Sequence, residues 1–212
     1  MSIDLKRIDK AFQVVLSIDQ GYLDQRIEVP LKVIYLPPFQ APLTLQARTQ
    51  FMLRDRSLFA IRSVPVERVY PIRSAVLLDG DTSQCRFRGD DQDSTLHLAI
   101  CDGDAIVAAA TVCQETFPGA PGAPAWRLRG VAVEPSMQRY GFGRMLIKLC
   151  VDHARKEGGH LVWCTARESA RGFYEALGFV SASPPFTLPT RGDVLFYEMR
   201  YVLPEEPVAD VE

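Results

Sequence analysis

The apolar positions change period within one stretch, residues 126–156, WRLRGVAVEPSMQRYGFGRMLIKLCVDHARK. Over 126–133 apolar and polar residues alternate, the mark of a strand with one face on a core. Trp126 and Leu128 share one parity, whereas Val131 and Val133 share the other. An alternating strand changes face only where a residue is inserted, so the pattern predicts a β-bulge at about Gly130. A strand buried on both faces is the alternative. Glu134 and Pro135 end the strand, because proline cannot donate to a ladder. From Phe142 the apolar residues (Met145, Leu146, Leu149, Cys150, Ala154) follow the spacing of a helix packed on a sheet. Gly158 and Gly159 stop that helix.

Upstream, residues 12–18, 27–36 and 43–53 read as strands by β-branched content. They form a β-rich N-terminal extension, residues 1–56, of no evident chemistry. The main domain, residues 57–203, opens with a strand at 57–62. A helix follows from Pro65 through Val66, Val69, Tyr70, Arg73 and Leu77, closed by Asp79-Gly80-Asp81. Residues 82–94 are polar and irregular. Two strands, 95–101 and 105–113, flank the hairpin turn Asp102-Gly103-Asp104. After the central helix, 161–164 is a short apolar strand of the kind buried in parallel sheets. Thr165 to Glu168 can form a capping box, and Ser169 is an equally good N-cap. The helix they open carries Ala170, Phe173, Tyr174 and Leu177 and ends at Gly178. Strands at 179–183 and 194–202 close the domain, and residues 204–212 are an acidic tail. The order predicts an α/β (α+β) fold, with a mixed sheet and helices on both of its faces.

The 212 residues suit one domain with an addition. The net charge of −2 gives no reason to expect nucleic acid or an anionic membrane as partner. Charge is uneven, however. Residues 126–156 hold seven basic side chains against two acidic, a local balance of +5 that suits a polyphosphate. The five cysteines are scattered with no C-x-x-C pair, and read as small buried residues rather than disulfides or metal ligands. No signal segment or membrane-length apolar run is visible, so a cytoplasmic location without bound metal is expected.

The turn Gln138-Arg139-Tyr140-Gly141-Phe142-Gly143 carries the candidate chemistry. Two glycines one residue apart let a ligand approach the backbone. The first amides of the helix have no intrahelical partner and face a phosphate with the helix dipole behind them. No Gly-Lys-Ser/Thr follows, as a P-loop requires, and the third glycine of the dinucleotide fingerprint is missing. The turn resembles the Q/R-x-x-G-x-G/A signature of the GCN5-related N-acetyltransferase (GNAT) superfamily, matched here by Gln138, Gly141 and Gly143. The resemblance extends over residues 57–203 and implies the GNAT acyl-CoA N-acyltransferase fold, whose bulged central strand opens a cleft for coenzyme A.

By that resemblance the cofactor-binding residues are Val131, Ala132, Val133, Gln138, Arg139, Tyr140, Gly141, Phe142, Gly143 and Arg144. Acetyl-CoA is the implied cosubstrate. Phe173-Tyr174 with Leu177-Gly178-Phe179 resembles the superfamily segment whose tyrosine protonates the leaving thiolate. Candidates for the base that takes the amine's proton are Glu134 and His97. Trp163-Cys164-Thr165-Ala166-Arg167 resembles the W-C-N-A-R of an uncharacterised subgroup, with Thr165 in place of asparagine. The expected function is N-acetyl transfer to a small-molecule or protein amine. A non-catalytic coenzyme A-binding or interaction module is the alternative. A homodimer through the N-terminal strands is an arrangement they permit.

Overall fold

The structure is a computed structural model that describes residues 14–19, 32–35 and 56–204. The chain forms two compact units. The first comprises Met1–Arg86, His97–Ala109 and Ala132–Leu146; the second comprises Phe87–Leu96, Ala110–Val131 and Ile147–Glu212.

In the first unit, strands β1 (Val14–Asp19), β2 (Lys32–Tyr35) and β3 (Arg56–Ser63) precede helix α1 (Tyr70–Leu77). Strand β4 (Leu96–Asp102) and parts of β5 (Ala105–Gln114) and β6 (Ala125–Val133) complete the sheet, in the order β2-β1-β3-β4-β5-β6. Strand β1 is antiparallel to β3, from Val14 opposite Ile61 to Asp19 opposite Arg56. Of the strands expected at 12–18 and 27–36, the described residues show Val14–Asp19 and Lys32–Tyr35. The one expected at 43–53 and the acidic tail beyond residue 204 lie outside the described residues. The helix expected from Pro65 is divided: a 3-10 turn, Val66–Val69, leads into α1. Pro71 is the cause, because it has no N–H to give to the turn before it, so the α-helical ladder starts only there. Asp79 and Gly80, with φ of 53° and 88°, close the helix as expected.

In the second unit the order is β5-β6-β7-β10-β8. Strand β7 is Leu161–Arg167, helix α3 Glu168–Glu175, β8 Val180–Ser181, β9 Phe186–Thr187 and β10 Leu195–Val202. Strand β10 runs antiparallel to the whole of β7, from Val202 opposite Leu161 to Phe196 opposite Arg167. That pairing draws Thr165 and Arg167 into the strand, so neither expected cap forms. Arg167 precedes α3 without a side-chain cap bond. Helix α2 is Phe142–Lys156, as its apolar spacing predicts.

Strand β6 contains the predicted bulge. The Glu115 amide donates to the Ala125 carbonyl at 3.1 Å, and the Glu134 amide donates to that of Val107 at 2.9 Å. From 115 to 107, eight steps along β5, the partner advances from 125 to 134, nine steps along β6, so β6 holds one extra residue. Gly130 lies between these points with φ of 58°, a left-handed conformation that costs other L-residues about 1–2 kcal/mol. The packing shows the result. Trp126 meets His153 of α2 edge-on at 5.2 Å, whereas Ala132, of the same parity, packs with Val69 and Ile72. Beside the bulge, β6 pairs in parallel with β7 only from Ala125–Leu161 to Arg127–Trp163.

His153 is part-buried against Trp126, with a ring nitrogen 3.4 Å from the Ser94 carbonyl. Burial pulls its pKa below the ordinary 6.5, partly offset by that hydrogen bond and by Glu157. The unfolded chain then binds the proton more readily, so stability falls as pH drops through 6.5 and below. Denaturant midpoints measured from pH 7.5 to 5 should fall more steeply for the wild type than for His153→Gln. Parallel slopes would exclude His153 as a source of acid sensitivity.

Candidate active site

Strand β6 ends at Val133, and Glu134-Pro135 turns the chain into a single 3-10 turn, Pro135–Met137. The Gln138 side-chain amide reaches back to the Val133 carbonyl at 3.3 Å, tying the loop to the strand end. Arg139 and Gly141 both have positive φ, 70° and 81°. A Cβ built on Gly141 meets no heavy atom within 4 Å, so the space over this amide is open and a side chain would fill it. Helix α2 then starts at Phe142, and its ladder begins with the Met145 amide on the Gly141 carbonyl at 3.0 Å. The amides of Phe142, Gly143 and Arg144 precede that bond and sit at the positive end of a 15-residue helix. Phe142 anchors the helix start edge-on against Phe59, at 5.0 Å between centroids. A fixed array of amides with open space before it fits a pyrophosphate.

The remaining predicted residues are distributed as follows. Val131 and Val133 are half-buried and Ala132 is buried. Glu134 is half-buried at the strand end, with its amide on Val107. His97 is buried in β4, where its carbonyl accepts the Val64 amide at 3.0 Å. His97, Glu134 and the loop belong to the first unit, and Tyr174 to the second.

Tyr174, 7% exposed, packs between Phe173 at 5.4 Å and Phe179 at 5.5 Å, and its hydroxyl bonds the Cys164 sulfur. Burial, then the neighbouring Cys164 and Cys150, holds its pKa well above the ordinary 10. Burial pushes the Cys164 thiol itself up to about 12, partly offset by Arg127 and the Tyr174 hydroxyl. Both groups therefore stay protonated at neutral pH. All five cysteines are buried and free.

By sequence alone, Arg127 and Arg129 belong to the basic balance of residues 126–156. Both are instead committed to Glu115. Arg127 Nη1 and Arg129 Nη2 each lie 2.5 Å from a different Glu115 carboxylate oxygen. Arg127 also donates to Thr165 Oγ1 at 3.2 Å and stacks over Trp163 at 4.2 Å, while the Trp163 indole donates to the Glu115 carbonyl at 3.0 Å. Burial, then the Arg127 charge, pulls the Arg129 guanidinium below its usual pKa, with Glu115 opposing. The alternation of Arg127 and Arg129 against Trp126 and Leu128 was the available signal: two cations on one strand face demand a carboxylate nearby.

Residues 65–179 match the model of the Acetyltransferase (GNAT) family. The chain belongs to the GNAT acetyltransferase family. Among its relatives, the uncharacterized N-acetyltransferase YitI of Bacillus subtilis is 28% identical over 137 residues, 64% of this chain and 92% of the relative. The [Ribosomal protein bS18]-alanine N-acetyltransferase of Salmonella typhimurium is 32% identical over 104 residues, 48% of this chain and 66% of its own length. A solved aminoglycoside 6'-N-acetyltransferase complexed with coenzyme A shares the fold at a TM-score of 0.55 and 13% identity, covering 69% of this chain and 98% of its own. This GNAT protein is accordingly an N-acetyltransferase. The family match weighs against the alternative of a non-catalytic module.

Coenzyme A should raise the melting temperature, because a ligand that binds only the native state adds about 2.7 kcal/mol at 100 times Kd. Gly141→Glu should abolish that rise by placing a carboxylate over the amides. The positive φ of Gly141 lowers the variant's own stability, so the quantity read is the shift on adding ligand. A wild-type melting temperature indifferent to coenzyme A would remove the loop from the account.

Proposed function

We propose that the protein transfers an acetyl group from acetyl-CoA directly to an amine, using the loop after β6 for the pyrophosphate. The observation that carries this reading is the start of α2: a left-handed Gly141 under open space, followed by amides ahead of the first helical bond. The amides from Arg139 to Arg144 would hold the phosphates, with Gln138 bracing the loop. Val131 and Val133 follow the bulge, past the last β6–β7 pair, and their amides are the candidates for the pantetheine arm and the thioester carbonyl.

Acetyl-CoA supplies an acetyl carbon activated as a thioester. The amine nitrogen bonds to that carbon, the carbon–sulfur bond breaks, and the sulfur leaves with the bonding pair. Tyr174 would give its hydroxyl proton to the sulfur, and a raised pKa keeps that proton in place until then. Glu134 or His97 would take the proton of the amine. Glu134 has the more open setting, half-buried at the strand end, whereas His97 is buried within β4. We place the domain boundary near residue 57, with the N-terminal strands as an addition. Acceptors among the relatives include a ribosomal protein's alanine, so a protein amine and a small amine are both open to this chain.

Tyr174→Phe separates the acid from a core aromatic. Its ring packing survives, and the lost hydroxyl bond to Cys164 costs about 1 kcal/mol. The acid role gives a fall in kcat of about 10²- to 10⁴-fold with coenzyme A affinity intact. Acetyl-CoA turnover against an amine panel, with slow thioester hydrolysis as a second readout, measures it. A folded variant with kcat within a few-fold of wild type would leave Tyr174 a packing residue.

A further inference from the structure

The Arg127–Glu115–Arg129 cluster has more positive charge than its structural role requires. Either arginine alone would neutralise Glu115. Two guanidiniums on one carboxylate leave a surplus positive charge in a partly buried place, with side chains 23%, 15% and 18% exposed for Arg127, Arg129 and Glu115. Such a surplus is costly unless it meets an anion.

The two arginines differ in how far they are used. Arg127 is stacked on Trp163 and bonded to both Glu115 and Thr165. Arg129 gives one bond, from Nη2 to Glu115, and the buried Nε of each of the two arginines has no hydrogen-bond partner among the described residues. A guanidinium held at one corner with donors to spare is a planar fork suited to a carboxylate.

The face it occupies bears on the ligand's source. Trp126 packs against His153 of α2, so Arg127 and Arg129 alternate to the opposite face of the strand. Trp163 and Thr165 share that face, as do Arg200 and Glu198, their register partners on β10. Glu198 is the face's second carboxylate, 3.4 Å from Ser183 Oγ. With Arg127, Arg129, Arg167 and Arg200 against Glu115 and Glu198, the face carries two positive charges in excess.

We propose that Arg129, oriented by Glu115 and flanked by Arg127, binds a carboxylate on the acceptor, so that the acetylated amine is an amino carboxylate. This rests on the reading of the protein as an acetyl-CoA-dependent N-acetyltransferase. Discrimination comes from the fork: an amide in place of the carboxylate leaves the surplus charge of this partly buried cluster uncompensated, a penalty that apolar contact cannot match.

The test uses product-side probes, so it needs no known acceptor. N-acetyl amino acids and their matched N-acetyl amino amides are titrated onto the full chain saturated with coenzyme A, in wild type, Arg129→Gln and Arg129→Lys. At least one acid should bind about 10- to 100-fold more tightly than its amide, the worth of a charged hydrogen bond. The preference should vanish in Arg129→Gln and weaken in Arg129→Lys, which keeps the charge without the fork. Coenzyme A affinity should be the same in all three. Equal binding of acids and amides, binding of neither, or a preference that survives Arg129→Gln overturns the proposal. Weaker coenzyme A binding in Arg129→Gln would assign the cluster to the cofactor's phosphates and likewise overturn it. Failure of coenzyme A to bind the wild type would sink the acetyltransferase reading, and this one with it.

Discussion

A β-ladder admits one register, and a single extra residue breaks it. In this protein that residue sits at Gly130, where φ is 58° and the β5–β6 pairing advances by one. Before it, β6 faces Trp126 onto α2 and pairs with β7 as far as Arg127. After it, the buried side chain is Ala132, packed with Val69 and Ile72. Without the insertion, residues beyond 130 would expose the opposite set of side chains. A residue with a Cβ at 130 would resist the left-handed conformation that permits the switch. The strand then hands over to Glu134-Pro135 and the glycine loop, so the strand's geometry and the proposed anion site are consecutive consequences of one stretch of chain.

Charge placement is the second organising feature. Helix α2 offers amides and a dipole, which suit an anion without a buried cation. The strand face opposite Trp126 is built differently, with guanidiniums fixed by carboxylates and stacked on an indole. Dipoles and fixed ions are distinct means of anion recognition, and their separation onto different elements fits two different anions. Tyr174 has an aromatic and thiol setting that favours the neutral hydroxyl.

Much of this was legible in the sequence because it follows from periodicity. The parity change between Leu128 and Val131 announced the bulge, and the spacing from Phe142 gave α2. The glycine turn, read with its flanking strand and helix, pointed to the family. What escaped depended on partners distant in sequence. Thr165 looks like an N-cap until β10 draws it into β7. The seven basic residues of 126–156 look like one field until Glu115, from a neighbouring strand, claims two of them. The Cys164 sulfur beside the Tyr174 hydroxyl joins a strand to a helix, a contact no local pattern encodes. Pro71 was legible in the sequence, and its lack of an N–H accounts for the divided helix.

The central claim is that the end of β6 and the first amides of α2 hold coenzyme A. Amide chemical shifts followed by NMR during a coenzyme A titration test it most directly. The account expects the largest changes at Val131, Val133 and from Gln138 to Arg144, saturating together with one affinity. Saturable binding that leaves those amides unmoved while others shift would contradict it.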